Sequence, residues 1–248
     1  MYYVGIDLAW TYKNETGLCI IDENGTVEHL DSVVYSDEEI IQIIKNYDPN
    51  QLCIGIDAPL IVNNENGSRG AEGELMRNRI NGFRISVFNV NRRFMNRTYG
   101  QLRGETLAKK LITEFPELKI NDSMLIHNNS IIETFPTGIV YGLFPEISPV
   151  IYKIKRNIPY EESKYQMKRL ITRISETEHL EGKIKGVTHI LNKDQLQLSR
   201  KSHKHLEDKV DAFLCAYGLY AVCNNYATAN ISGNIEDGFI MVPVIKMP

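Results

Sequence analysis

The first third of the chain alternates apolar and polar positions with the periods of strands and helices. Apolar runs cover residues 2–8 and 17–21, and an alternating run covers 26–34. The last two are connected through Asn24-Gly25, a dipeptide that favours a tight hairpin turn because both residues tolerate a positive φ. The pattern therefore predicts three consecutive strands at the amino terminus.

A helix and a fourth strand are predicted next. Ser36 and Glu39 have the spacing of a capping box, and apolar residues at positions 40, 43, 44 and 47 predict a helix that ends before Pro49. The sequence IGIDAPL at residues 54–60 then places Asp57 where an apolar strand becomes polar. The first strand does the same, since VGIDLAW at residues 4–10 carries Asp7.

Residues 61–104 differ in composition from the rest of the chain. Between Arg69 and Glu105 there are eight arginines, no lysine and three acids, in a chain whose formal net charge is −3. Helices are predicted over 71–81 and 106–115. A segment of this length is unusual as a plain connection within a compact domain, so it is predicted to be a functional, arginine-rich insertion.

The second half of the chain is predicted to contain two strands and two helices. Residues 130–135 form a strand that carries Glu133, and apolar spacing predicts a helix over 161–176. A long helix over 203–225 carries Asp208 and Asp211, and a final strand covers 238–245. The sequence shows no repeat and no linker, which predicts one α/β domain over residues 1–248.

The positions of the acids suggest a metal site. Asp7 and Asp57 end two strands that would lie side by side if they were parallel, at the sheet edge where α/β folds bind ligands. Asp208 and Asp211 are three apart and share one helix face. Carboxylates that converge in this way repel one another unless a hard divalent cation such as Mg²⁺ or Mn²⁺ binds between them.

Composition excludes several classes of protein. A net charge of −3 gives no general attraction to nucleic acid or to anionic membranes, so a polyanion site must come from local clustering. The four cysteines lack the spacing of a zinc site and are predicted to be free thiols. No apolar run approaches the roughly 18 residues of a membrane span, and no signal sequence is recognised, so a cytoplasmic location is expected.

The order of strands, helices and acids resembles the ribonuclease-H-like fold, whose nucleases take acids from strand one, strand four and the last helix. DxxDA at residues 208–212 is similar to the Holliday-junction resolvase branch. More closely, the chain resembles the predicted nuclease family called domain of unknown function 429. The matching motifs are GID at 5–7, DAPL at 57–60, the arginine-rich segment 69–104, ExxP at 133–136, Tyr152-Lys153, DxxDA at 208–212 and EDGFIMVP at 236–243. Two positions depart from the family pattern, because Glu72 stands where Asp is usual and Thr137 where an acid is common.

The resemblance implies a mixed sheet of three antiparallel strands followed by parallel strands, flanked by helices. It also implies hydrolysis of DNA or RNA by two Mg²⁺ or Mn²⁺ ions. The catalytic carboxylates would be Asp7, Asp57, Glu133, Asp208 and Asp211, of which Asp7, Asp57, Asp208 and Asp211 would bind metal. The expected phosphate contacts are Arg69, Arg77, Arg79, Arg103 and Lys153, with Lys155 and Lys209 as weaker candidates.

Some side chains have two possible roles in the sequence. The aromatic residues of the insertion, Phe83, Phe88, Phe94 and Tyr99, could stack on bases or anchor a long loop. His203 and His205 could assist proton transfer or lie on the helix surface.

Two other functional classes remain open at this level. One is a non-catalytic protein of the same fold that binds nucleic acid or protein. The other is a phosphoryl transferase of the actin and sugar-kinase type, which shares the core and an opening GID-like strand. A kinase would need a second phosphate loop rich in Gly and Thr or Ser, and a longer chain for two lobes.

Overall fold

The structure is a computed structural model that describes residues 1–47, 51–123, 129–195 and 199–245. The strands are β1 (Tyr2–Asp7), β2 (Thr16–Asp22), β3 (Val27–Val33), β4 (Leu52–Ile56), β5 (Lys119–Ile120), β6 (Ser130–Glu133), β7 (Thr228–Asn234) and β8 (Gly238–Val244). The helices are α1 (Asp37–Lys45), α2 (Gly70–Arg77), α3 (Arg92–Tyr99), α4 (Arg103–Glu114), α5 (Pro136–Leu143), α6 (Tyr160–His179), α7 (Val187–Gln195) and α8 (Arg200–Cys223), and a 3-10 turn covers Pro145–Ile147.

Six strands form one mixed sheet in the order β3-β2-β1-β4-β6-β5. The pairs β1–β2 and β2–β3 are antiparallel, whereas β1–β4, β4–β6 and β5–β6 are parallel. An antiparallel meander followed by parallel strands, with helices on both faces, is the ribonuclease-H-like topology. The fold class predicted from the sequence is therefore confirmed.

Period-two alternation divides the strand residues between two cores. Tyr3 and Cys53 face one core together with α5, α6, α7 and α8, whereas Val4, Ile6 and Ile54 face the other core with α1 and α4. Gly5 and Asp7 continue the Tyr3 face along β1, and Gly55 and Asp57 continue the Cys53 face to the residue that follows β4. Asp7 and Asp57 therefore lie on the face of the sheet that α8 covers.

The last predicted strand lies in a separate two-stranded sheet. β8 pairs antiparallel with β7, which the sequence pattern did not predict, and a single bridge joins Thr134 to Met241. Ile240 and Val242 of β8 pack with Ala71 and Leu75 of α2 in a small apolar cluster, and Tyr141 of α5 packs against it. The hairpin thus connects the insertion to the main sheet.

Several helix limits differ from the sequence prediction. The predicted helix 71–81 ends at Arg77, the predicted helix 106–115 begins earlier at Arg103, and α3, α5 and α7 were not predicted. In α5, six of eight residues are buried, so its sequence lacks the polar face by which an amphipathic helix is recognised. The Ser36–Glu39 capping box is present as predicted, while Pro49 lies outside the described residues. None of the described helices combines the length and the apolar character needed to cross a membrane.

Candidate metal centre

The register between β1 and β4 places two aspartates side by side. Gly5 pairs with Gly55 and Ile6 with Ile56, so the two GID segments are aligned residue for residue. The Asp57 amide donates to the Ile6 carbonyl at 2.8 Å, which continues the ladder to the end of both strands. Because the strands are parallel, both carboxylates emerge at the same edge and on the same face.

Glycines allow α8 to approach this face closely. A Cβ atom at Gly5 would lie 2.0 Å from the Ala212 carbonyl oxygen, and one at Gly17 would lie 2.0 Å from the Asp208 carbonyl oxygen. Any side chain at either position would collide with the backbone of the helix. The two glycines therefore let α8 lie directly on β1 and β2, which brings Asp208 and Asp211 to the strand ends.

Asp7, Asp57 and Asp211 form a compact cluster of carboxylates. One oxygen from each lies within 4.8 Å of the others. Asp211 is only 1% exposed, and its oxygens are held by two neighbours: the Tyr152 hydroxyl donates to Oδ1 at 2.5 Å, and Lys153 Nζ lies 2.6 Å from Oδ2. The adjacent Tyr152 and Lys153 thus fix the orientation of one carboxylate.

The cluster is electrostatically strained by its own charges. Burial raises the pKa of Asp7 well above its ordinary value, and the charges of Asp211 and Asp57 raise it further. Burial also raises the pKa of Asp57, to about 7, with Lys153 opposing and Asp211 adding to the shift. Burial alone would lower the pKa of Lys153, but the surrounding carboxylates, Asp211 foremost, outweigh it and raise that pKa.

The donor set fits a hard divalent cation. Three carboxylates at this separation supply the oxygen ligands that Mg²⁺ and Mn²⁺ prefer, and no sulfur or imidazole ligand is among them. The hydrogen bond from Tyr152 and the ion pair with Lys153 leave further lone pairs free on the Asp211 oxygens. The structure thus shows a group of residues able to hold a metal ion.

Asp208 lies next to this cluster without being one of its three members. Its charge is among those that raise the pKa of Asp7, and burial raises the pKa of Asp208 itself while Lys204 opposes the shift. Lys204 Nζ lies 2.6 Å from Asp208 Oδ1 and 2.8 Å from Glu207 Oε1. Asp7 is therefore close to Asp208 as well as to the other two members of the cluster.

Glu133 is placed on the other face of the sheet. Because Ile56 pairs with Glu133, the side chain of Glu133 follows the Ile56 face, and Thr134 takes the position beside Asp57. Glu133 accepts two hydrogen bonds from the Arg69 guanidinium, at 2.5 and 2.9 Å, and one from the Leu60 amide. Glu133 is therefore not one of the three clustered carboxylates, although it lines the same pocket as Asp7 and Asp57, and its catalytic role stays a prediction.

Two arginines assigned to substrate contact are buried in ion pairs. Arg69, 3% exposed, binds Glu72 as well as Glu133. Arg103, 2% exposed, binds the fully buried Asp37 and donates to the carbonyls of Ala9 and Tyr35. These buried guanidinium groups tie the insertion to the main sheet, and Arg69 also lines the pocket beside Asp7 and Asp57. Their expected phosphate contacts stay predictions.

The other candidate residues are distributed as follows. Arg77 and Arg79 are exposed, Lys155 is exposed, and Lys209 is buried and pairs with Asp31 at 3.3 Å. His203 is fully buried, with Nε2 2.7 Å from the Tyr152 carbonyl oxygen, whereas His205 Nδ1 lies 2.8 Å from Glu15 Oε2. Neither histidine is a member of the carboxylate cluster.

Two pockets open on either side of Asp7. The first, of about 190 Å³, is lined by Asp7, Asp57, the charged Arg69, Glu72 and Glu133, and a set of apolar and aromatic side chains; we call it the aromatic pocket. That set includes Trp10, Val87, Phe88, Val90, Phe135 and Ile240. The second, of about 520 Å³, is lined by Asp7, Asp208 and several basic side chains; we call it the lysine pocket. Those basic residues are Lys13, Lys201, Lys204 and His205.

Sequence reasoning missed several of these residues. Tyr152 stands out in the sequence only as half of a motif, and Trp10, Lys13, Lys201 and Lys204 had no assigned role. Trp10 lies three residues after Asp7, and Lys204 precedes Asp208 by one helical turn, so proximity to an acid motif was the available signal. Of the four insertion aromatics, Phe88, Phe94 and Tyr99 cluster with Trp10, while Phe83 packs on Tyr141.

Comparison with known proteins identifies one family. The model of the family described as "Protein of unknown function (DUF429)" matches residues 5–230, a range that includes all three clustered aspartates. The EDGFIMVP motif at 236–243 lies beyond the matched range. No curated protein and no solved structure matches the chain. By sequence and over most of its length, the chain belongs to the DUF429 family.

Proposed function

We propose that this protein is a divalent-metal-dependent nuclease that hydrolyses phosphodiester bonds of DNA or RNA. The observation that carries the proposal is the convergence of Asp7, Asp57 and Asp211 within 4.8 Å at the edge of a ribonuclease-H-like sheet. The raised pKa values of Asp7 and Asp57 support it, because perturbed carboxylates in a cleft are typical of functional sites.

Asp7 is the best placed of the three to bind two ions. It lies close to the charges of Asp57, Asp211 and Asp208, and it lines both pockets. Mg²⁺ or Mn²⁺ held there would activate the attacking water and stabilise the leaving oxygen of the phosphodiester. The chain's own residues would position the phosphate, since Lys153 and Lys204 carry charge at the two ends of the carboxylate group.

Tyr152 and Lys153 would preorganise the centre. The two oxygens of Asp211 are oriented by these residues before any ion binds, which lowers the cost of forming the coordination shell. Lys153 also offsets part of the negative charge in the absence of metal. Together they allow three carboxylates to remain close to one another in the folded state.

The test is Asp7→Asn, compared with Glu117→Gln, an exposed carboxylate replacement away from the site. Asp7→Asn should abolish Mn²⁺-dependent cleavage of single-stranded or branched nucleic acid. Without metal it should keep or raise the melting temperature, because it removes a buried like charge. The parent and Glu117→Gln should melt at higher temperature when Mn²⁺ is added, and Asp7→Asn should lose this shift, since binding to the native state stabilises by mass action.

Other results would favour other functions. If the parent cleaves neither DNA nor RNA and shows no Mn²⁺ shift, yet binds nucleic acid, a non-catalytic binding protein is the better description. Transfer of phosphate from ATP without cleavage of nucleic acid would favour the kinase-like alternative. A large fall in the melting temperature of metal-free Asp7→Asn would make Asp7 a structural residue.

A further inference from the structure

The two pockets meet at Asp7 and differ sharply in chemistry. Asp7, Leu8 and Trp10 line both of them. The walls of the aromatic pocket are mostly aromatic and aliphatic, with the paired charges of Arg69, Glu72 and Glu133 among them, whereas those of the lysine pocket carry basic side chains. A ligand that crosses Asp7 would therefore have to be apolar and flat at one end and anionic at the other.

The aromatic pocket has the properties of a site for a planar ring. Phe88, from the insertion, is 47% exposed, and its ring lies 5.1 Å from that of Trp10. Exposed aromatic rings beside a cleft offer stacking surfaces, which every nucleobase can use because each has a π face. Phe135 and Ile240 extend the apolar wall.

A buried acceptor in the same pocket lacks a partner. Glu72 lines the pocket, and its Oε2 atom is buried with no hydrogen-bond partner among the residues that the structure describes. A buried oxygen without a donor is unfavourable, and a ligand that supplies an N–H group would satisfy it. Adenine, cytosine and guanine all carry such donors on the edges that pair in a duplex.

The lysine pocket suits phosphate. Lys13 and Lys201 are exposed and form no ion pair within the described parts of the chain, so their charges are not neutralised by a neighbour. Lys204 and His205 pair with acids on the pocket wall. The pocket also lies at the beginning of the 24-residue helix α8, whose dipole favours an anion.

We propose that the site takes two consecutive nucleotides of a single strand, with the unpaired base of one nucleotide in the aromatic pocket and the far phosphate of the other nucleotide in the lysine pocket. The phosphodiester between them would then lie over Asp7, where the proposed function places the chemistry; the inference rests on that function. A base in a duplex is stacked and paired, so it must be extruded before it can enter. The protein should therefore select unpaired nucleotides.

Binding of a fluorescently labelled hexanucleotide, measured by anisotropy in Ca²⁺ to suppress cleavage, tests this selection. Trp10 is the only tryptophan of the chain and lies at the junction of the pockets, so quenching of its emission reports entry of a base. We expect the single strand to bind at least about tenfold more tightly than the same sequence in a duplex, and only the single strand to quench Trp10.

Variants separate the two pockets. Phe88→Ala should weaken single-strand binding about tenfold, and a strand of abasic nucleotides should bind the parent and Phe88→Ala equally. The double change Lys13→Gln with Lys201→Gln should weaken normal and abasic strands alike. The matched control, Lys109→Gln with Lys168→Gln, removes two exposed charges elsewhere and should have little effect.

Equal affinity for single strand and duplex would overturn the inference, as would full affinity of Phe88→Ala. An abasic strand that still binds Phe88→Ala more weakly than the parent would also overturn it, because the ring would then touch something other than a base. These results do not depend on cleavage. A protein that selects single strands but never cleaves them would contradict the proposed nuclease and leave the two-pocket site standing.

Discussion

At the scale of single residues, the aspartates are held where ionisation is unfavourable. Burial and mutual repulsion raise the pKa values of Asp7 and Asp57, and Lys153 offsets this only in part. Capping of strand ends alone would not require two carboxylates, Asp7 and Asp57, side by side on one face of the sheet. A bound cation would offset the repulsion between these carboxylates, since it favours their ionised forms.

The pKa of Asp57 predicts an unusual dependence of stability on pH. Because this pKa is about 7 in the folded protein and 3.8 ordinarily, the folded state binds more protons between about pH 4 and 7. Metal-free protein should therefore become less stable as pH rises through this range, by at most about 1.4 kcal/mol per pH unit from this group. Urea unfolding in EDTA at pH 5, 6, 7 and 8 measures the slope.

Two comparisons make the assignment to Asp57 specific. Asp57→Asn should be less sensitive to pH over the same range, because it lacks the titrating group. Saturating Mn²⁺ should reverse the parent's trend, since metal binding requires the ionised carboxylate and weakens as pH falls. Parallel pH slopes in the parent and Asp57→Asn would contradict the prediction.

At the scale of elements, the centre depends on the packing of α8 on the sheet. Gly5 and Gly17 face the backbone of α8 with no room for a Cβ atom. Asp7 and Asp57 are fixed to neighbouring strands, whereas Asp211 comes from a different element. The distance between helix and sheet therefore sets the size of the cluster.

Gly5→Ala should disturb the centre without altering any carboxylate. Its Cβ would lie 2.0 Å from the Ala212 carbonyl oxygen and 2.4 Å from the Ala216 amide nitrogen, so helix and strand must separate. We expect a decrease of about 1–3 kcal/mol or more in unfolding free energy. Mn²⁺ affinity, measured by calorimetry below the melting temperature, should also fall because Asp211 moves away from Asp7.

The control for this change is Gly70→Ala, at the first residue of α2. No atom lies within 4 Å of the Cβ position there, so stability and Mn²⁺ affinity should stay close to those of the parent. If Gly5→Ala is destabilised but binds Mn²⁺ as tightly as the parent, the spacing of α8 does not control the centre.

At the scale of the whole molecule, positive charge is concentrated in the insertion. The exposed arginines there include Arg77, Arg79, Arg84, Arg93 and Arg97. Val87, Phe88 and Val90 of the same segment line the aromatic pocket. The insertion thus provides one wall of the site. It also presents exposed arginines to solvent, whereas Arg69 and Arg103 of the same segment are buried.

The triple change Arg77→Gln, Arg79→Gln and Arg93→Gln should reduce the salt dependence of nucleic-acid binding. For every phosphate that the variant no longer neutralises, the slope of log K against log salt concentration should fall in magnitude by about 0.7 for a single strand, because fewer counterions are released. The control replaces the exposed Lys109, Lys119 and Lys168 with Gln and should leave the slope unchanged. Identical slopes in both triple variants would mean that the arginines do not bind nucleic acid.

The sequence by itself determined the element types that have strong local signals. The three-strand opening, the Ser36 capping box, the fourth strand and the long final helix follow from apolar periodicity and turn chemistry, which act between near neighbours. The two GID segments also marked Asp7 and Asp57 as unusual, because a carboxylate at the end of a buried strand needs a compensating partner. Helix α5 and strand β7 were missed, because their positions depend on packing that local patterns do not contain.

Which charged residues meet depends on the packing of the folded chain. Strand register put Glu133 on the opposite face from Asp57, and burial turned Arg69 and Arg103 into partners of Glu133 and Asp37. The close approach of α8 brought Asp211 to Asp7, and the same packing joined two pockets of different chemistry at one carboxylate. Such interactions join residues far apart in the chain, and pairing register and helix-to-sheet distance, which set them, are properties of the folded molecule as a whole.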